Sequence, residues 1–175
     1  MDAKDGNSGG VSMNILFIHQ NFPAQFKFLA PALVKAGHKL RALTIRQFKE
    51  LVWEGIEISQ YLTDRGSSKS IRPWLTDFET KVIRGEACFN AAVKLKKTGY
   101  LPDVIIAHPG WGESLFLKEV WPSAMLGLYC EFYYSARGLD VGFDPEFTFP
   151  DLENPCRMTL KNINNLFHIT QADAG

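Results

Sequence analysis

The chain has no excess charge to offer a partner: 19 Lys and Arg residues are matched by 19 Asp and Glu. A domain that binds nucleic acid or an anionic membrane through its overall field needs a net positive charge, so neither class of partner is expected. No uninterrupted apolar run approaches the ~20 residues that cross a bilayer, and the N-terminus lacks the apolar core of a signal peptide. A cytoplasmic protein is the resulting expectation. Cysteine is scarce. Cys88, Cys130 and Cys156 are odd in number and far apart, which argues against a disulfide framework or a zinc site and for buried, inert thiols. Four scattered histidines, His19, His38, His108 and His168, spell no local metal motif. Also missing are a P-loop, a G-x-S-x-G elbow and, in the first strand-to-helix turn, the G-x-G-x-x-G of a dinucleotide site.

What remains is ordinary globular material: 175 residues, 46% hydrophobic and 22% charged, enough for one buried core. Residues 1–12 are polar, rich in Gly, Ser, Asp and Asn, and read as a disordered leader, with one domain over 13–175. Asn14 to Gln20 is a first strand, apolar until His19. Phe22, Phe26, Leu29, Ala30 and Leu33 then recur at helical spacing, with Pro31 predicting a kink or a late start and Gly37 a stop. Lys39 to Thr44 follows as a strand. Gly55 to Leu62 alternates as an edge strand would, and Thr63 to Pro73 reads as a weakly ordered loop.

Thr76 to Thr98 carries the clearest helix pattern. Thr76 and Glu79 have capping-box spacing, Phe78, Val82, Gly85, Phe89 and Ala92 mark one face, and Gly99 ends it. Gly85 in mid-helix points to close approach of a neighbour. A short apolar strand, Val104 to Ala107, leads into His108-Pro-Gly-Trp-Gly-Glu113, then a helix from about Glu113 to Val120, a strand Ala124 to Cys130, a long loop 135–150, and a helix Asn154 to Gln171. The expected fold is α/β, a Rossmann-like open parallel sheet with helices on both faces. The βα rhythm calls for one more strand after the last helix, so the chain reads as part of something longer, its final strand truncated.

In such a sheet ligands sit at the carboxyl ends of the strands. That rim would receive His19, Gln20 and Asn21 from the first strand, then His108, Gly110, Trp111, Gly112 and Glu113, and finally Glu131, Tyr133 and Tyr134. Imidazole, amide, carboxylate and aromatic groups together suit a polyhydroxylated ligand, whose hydroxyls need paired donors and acceptors and whose apolar faces stack on rings. Each residue also has a plainer reading. His19 and His108 can cap local backbone, and the glycines can serve only a turn. Trp111 and the tyrosines can be packing anchors, Glu131 a solvated rim charge, and Glu113 a favourable charge at a helix start.

Asn14-Ile-Leu-Phe-Ile-His-Gln-Asn-Phe-Pro, Pro102-Asp-Val-Ile-Ile-Ala-His-Pro-Gly-Trp-Gly-Glu, Glu131-Phe-Tyr-Tyr and Phe143-Asp-Pro-Glu resemble the N-terminal domain of family 4 glycosyltransferases of the GT-B fold. The resemblance runs from about Met13 to Gly175. It implies an acceptor-binding domain facing a second Rossmann-like domain that holds a nucleotide-sugar donor, with retention of anomeric configuration and no metal or other cofactor. It also places His108 near the donor sugar at the reaction centre. Many relatives carry a glycine pair in the first βα loop, where this chain has Gln20-Asn21-Phe22-Pro23. Two other readings compete: a free-standing sugar- or nucleotide-binding module, and a flavodoxin-like cofactor domain.

Overall fold

The computed structural model of the chain describes residues 11–131, 133–135 and 153–175. Six strands form one sheet: β1 (Asn14–Ile18), β2 (Lys39–Thr44), β3 (Val52–Trp53), β4 (Ile56–Gln60), β5 (Val104–Ala107) and β6 (Met125–Leu128), in the order β3-β4-β2-β1-β5-β6. Every pairing is parallel except β3 with β4. The helices are α1 (Leu29–Lys35), α2 (Thr76–Lys97), α3 (Leu117–Val120), α4 (Glu153–Lys161) and α5 (Ile163–Ile169).

Side-chain alternation along the central strands divides the core. Ile15 and Phe17 of β1 join Phe22, Phe26 and Ala30 on the α1 face, while Leu16 and Ile18 join Cys88, Ala92 and Leu95 of α2 and Leu117 of α3 on the other. Both faces of the sheet are thereby covered, which is why β1 and β5 are apolar at successive positions. Phe17, Phe22 and Phe26 are fully buried, with the Phe22 and Phe26 ring centroids 5.9 and 5.0 Å from that of Phe17. Each such ring contributes roughly 1.5–3 kcal/mol by leaving water.

Several sequence expectations change in detail. A 3-10 turn at Ala24–Lys27 precedes α1, so the regular helix starts late and Pro31 falls in its first turn, where no donor is required. The alternating segment after Gly55 is β4, but it is not the edge: β3 covers it. The loop read as weakly ordered is tied to α2, with Ser68 donating from both its N–H and its hydroxyl to Glu79. Glu79 is thus taken, and the capping box does not form. A 3-10 turn at Pro73–Leu75 runs straight into α2 and leaves Thr76 already helical, with φ −57° and ψ −42°. The buried residues of α2 are Lys81, Ile83, Gly85, Cys88, Ala92 and Leu95, so of the predicted face only Gly85 and Ala92 are fully buried.

Of the cysteines, Cys88 is buried, whereas Cys130 and Cys156 are exposed, and none of the three is in a disulfide among the described residues. The helix expected from Glu113 is turns until Leu117. The last helix is two, broken at Asn162. After α5, Ala174 forms an isolated parallel bridge with Gly127, and Asp173 N–H and Leu128 N–H bond across to Leu126 and Ala174 carbonyls, so these residues lie alongside β6. The predicted leader (residues 1–10 of it) and nearly all of the 135–150 loop lie outside the described residues.

Candidate functional site

The strand order reverses between β1 and β5, and that switch point is where the polar groups gather. Register does the positioning. Ile18 pairs with Ala107 and Ala107 with Leu128, so His19, His108 and Tyr129 leave the sheet side by side. The imidazoles of His19 and His108 lie 5.3 Å apart, centroid to centroid, with their planes at 72°. Phe26 lies 6.0 Å from the His19 ring and Tyr129 lies 6.4 Å from the His108 ring.

Backbone hydrogen bonds fix both tautomers. Asn21 N–H donates to His19 Nδ1 at 2.9 Å, and Gly110 N–H donates to His108 Nδ1 at 3.1 Å. Each ring therefore presents Nε2–H. His108 uses it on Glu131 Oε2 at 3.0 Å, while Gln25 Nε2 donates to Glu131 Oε1 at 2.8 Å. The Gln25 bond, and after it His108, holds the Glu131 carboxyl below its usual range. Glu131 is therefore an ionised carboxylate, its side chain 26% exposed. His19 is the opposite case: its Nε2 is buried without a hydrogen-bond partner. Burial, then the neighbouring His108, pushes its pKa down to about 4 against the opposing pull of Glu131 and Gln25, and it is neutral at pH 7.

His108 caps a 3-10 turn at Pro109–Trp111, and Gly112 follows with φ +96°. That left-handed residue sends the chain beneath α2, so Glu113 is not on the rim. It is 1% exposed, both carboxyl oxygens lack hydrogen-bond partners, and burial raises its pKa to about 7. Its neighbours are Tyr61, Cys88 and Arg84. The Gln20 backbone carbonyl accepts from Thr44 Oγ1 and Arg46 N–H. Asn21 is exposed beside His19.

A cavity of about 460 Å³ opens next to Glu131. Of the predicted rim residues, His108, Gly110, Trp111, Glu131, Tyr133 and Tyr134 line it, whereas His19, Gln20, Asn21, Gly112 and Glu113 do not. Trp111 and Tyr133 are 40% and 60% exposed, so neither is a buried packing anchor. Tyr134 is clamped through its backbone, its N–H bonding Asn162 Oδ1 and its carbonyl accepting from Asn162 Nδ2. The α4–α5 junction holds the far wall further: Asn164 Nδ2 donates to the Pro109 carbonyl, and His168 Nδ1 donates to the Asn164 carbonyl at 2.7 Å.

The opposite wall went unpredicted. It is α2, through Asp77, Thr80, Lys81 and Arg84 at one face of its first turns, joined by Lys161 at the end of α4. The i, i+4, i+7 spacing of Asp77, Lys81 and Arg84 was visible, but it is also the signature of a solvated helix face. Gln25, which completes the Glu131 pair, sits on the turn after β1 with no sequence mark of its role. Among the described residues no three His, Cys, Asp or Glu side chains are grouped to hold a metal ion, and no helix is long and apolar enough to cross a membrane.

A doubly covered, mostly parallel sheet with a carboxylate, imidazoles and exposed rings at its switch point is a Rossmann-like α/β domain. The chain belongs to the glycosyl transferase family 4 group, whose family profile matches residues 36–175. No curated protein matches it. Membership assigns the chain to glycosyl transfer, with a sugar donor and an acceptor as partners.

Proposed function

We propose that the chain is the acceptor-side domain of a retaining, metal-independent glycosyltransferase that moves a sugar from a nucleotide-sugar donor to a hydroxyl acceptor. The observation that carries this reading is the Glu131 carboxylate, braced by Gln25 and His108 at the mouth of the cavity. An ionised carboxylate with two fixed donors has lone pairs left for a sugar hydroxyl, and it is oriented before the ligand arrives. Trp111 and Tyr133 offer exposed rings for the apolar faces of a sugar. His108 stands at the reaction centre in this reading. Both of its nitrogens are engaged, so it reaches the substrate through Glu131.

The donor diphosphate belongs, on this reading, to a second Rossmann-like domain. Fixed donors and charges that stabilise the departing group usually contribute more to catalysis than any other effect, so the 175-residue chain by itself transfers little or no sugar. Titration calorimetry with glucose, and with uridine and guanosine diphosphate sugars, tests the site. Glu131→Gln and His108→Ala are expected to weaken sugar binding by about tenfold or more, as loss of a charge-assisted bond does. Affinities equal to wild type in both variants refute the assignment. Sugar transfer by the isolated chain at enzyme-like rates refutes the acceptor-side role.

A further inference from the structure

The cavity is lined by three cations, Lys81, Arg84 and Lys161, and two carboxylates, Asp77 and Glu131. Three of these charges are already answered. Lys81, buried, pairs with Asp77 at 2.8 Å and also donates to the Lys161 carbonyl at 3.4 Å. Glu131 is held by Gln25 and His108. Arg84 and Lys161 are left without a carboxylate partner among the described residues. Glu113, on the buried side of α2, feels the charge of Arg84 but forms no ion pair with it.

Each of the two cations lies instead over an aromatic ring that also lines the cavity. The Arg84 guanidinium is 5.6 Å from the Trp111 centroid, and Lys161 Nζ is 4.0 Å from that of Tyr134. Stacking engages the face of a guanidinium and leaves its N–H edge available for in-plane bonds. Two cations steadied by rings, in a cavity with one positive charge in excess, are built for an anion. A volume of about 460 Å³ is in the range of small-ligand sites and leaves room for a sugar-sized body beside the anion.

We infer that the acceptor carries a phosphate group, bound between Arg84 and Lys161, with its hydroxylated part directed to Glu131. A doubly charged phosphate matches two cations, and Arg and Lys are the side chains that recognise it, one as a fork and one as a point charge. This rests on the sugar-transferase reading and specifies the class of acceptor. The phosphate can belong to a soluble sugar phosphate or to a lipid headgroup.

Calorimetry with the 175-residue chain separates the two claims. Glucose reports the sugar site, inorganic phosphate the anion site, and glucose 6-phosphate both. The expected result is that glucose 6-phosphate binds about tenfold or more tightly than glucose at low salt, with the advantage shrinking as salt rises. Arg84→Gln with Lys161→Gln should bring glucose 6-phosphate down to the affinity that the same variant has for glucose, and Arg84→Lys should keep part of the advantage, which excludes simple misfolding. Equal binding of glucose and its phosphate refutes the inference and leaves the proposed function standing. Binding of inorganic phosphate without glucose keeps the anion site and refutes the sugar reading. No binding of any probe refutes both. Sedimentation with phosphatidylcholine vesicles, with and without phosphatidic acid, identifies the source: phosphatidic-acid-dependent binding through Arg84 and Lys161 assigns a lipid headgroup, and its absence beside tight glucose 6-phosphate binding assigns a soluble one. Displacement of glucose 6-phosphate from these two residues by uridine diphosphate would assign them to the donor and overturn the inference.

Discussion

Replacing Gly112 by alanine tests whether the loop after β5 is set by steric contact with α2. At φ +96° an alanine adopts a left-handed conformation that costs about 1–2 kcal/mol. Its Cβ would also stand 2.7 Å from both the Cα and the carbonyl carbon of Lys81, where ordinary contact begins at 3.4 Å, and closer still to the Lys81 carbonyl oxygen. All three obstacles are backbone, so the loop and the helix must part by more than about 0.7 Å, the shortfall at the two carbons alone. Overpacking of this kind costs about 1–3 kcal/mol. Together the two effects predict a loss of about 2–5 kcal/mol, or roughly 5–15 °C in melting temperature for a domain of this size. Gly110→Ala is the control. Its Cβ meets the His108 ring, with Cε1 at 2.6 Å, which is the movable end of a side chain. That variant should melt within about 3 °C of wild type yet bind sugar more weakly, because the displaced ring releases Glu131. Thermal denaturation followed by circular dichroism reads the first effect and calorimetry the second. A Gly112→Ala protein that melts with wild type refutes the steric account.

Three further outcomes follow from the buried titratable groups and the Glu131 contact. His19 and His168 both have pKa values lowered from 6.5 to about 4, chiefly by burial. The unfolded chain therefore takes up protons first, and stability should fall as pH drops from about 6.5 to about 4 and level off below. His168→Gln should make that fall shallower; an unchanged slope would show that His168 does not contribute. Glu113 is the reverse, an acid whose folded pKa is about 7. It favours the folded state at low pH, and that contribution is lost as pH rises from about 4.5 through 7. Glu113→Gln should accordingly raise the melting temperature more at pH 8 than at pH 5, and equal shifts at both would contradict the burial argument. The Glu131 carboxyl is held low mainly by Gln25, so Gln25→Ala should move the acid limb of sugar binding to higher pH. A limb that stays in place would count against the Gln25 contact.

The parallel sheet was legible because β1 and β5 are covered on both faces and therefore apolar at successive positions. The stops were legible too, since His19 and His108 interrupt those runs. Register was not, because no local pattern says that Ile18 faces Ala107, and the meeting of the two imidazoles depends on it. Glu113 misled for a related reason. A glutamate after Gly-Trp-Gly reads as a rim residue, and only the left-handed Gly112 turns it inward under α2. The cation wall was hidden because Arg84 and Lys161 lie 77 positions apart in the chain, and charges on helices are ordinarily solvated.

Gly85 links these observations. A Cβ there would come 2.8 Å from the Gly112 carbonyl oxygen and 3.1 Å from the Phe116 ring. Two glycines, one on the helix and one on the loop, thus let α2 approach the strand end more closely than any other residue pair would allow. Arg84 is the residue next to Gly85 and Trp111 the residue next to Gly112. The close approach is therefore what brings the guanidinium over the indole. A larger residue at position 85 would gain helix propensity, about 1 kcal/mol for alanine, and lose the contact that sets one wall of the cavity against the other. The mid-helix glycine is explained by the site it closes, since nothing in the stability of α2 alone would favour it.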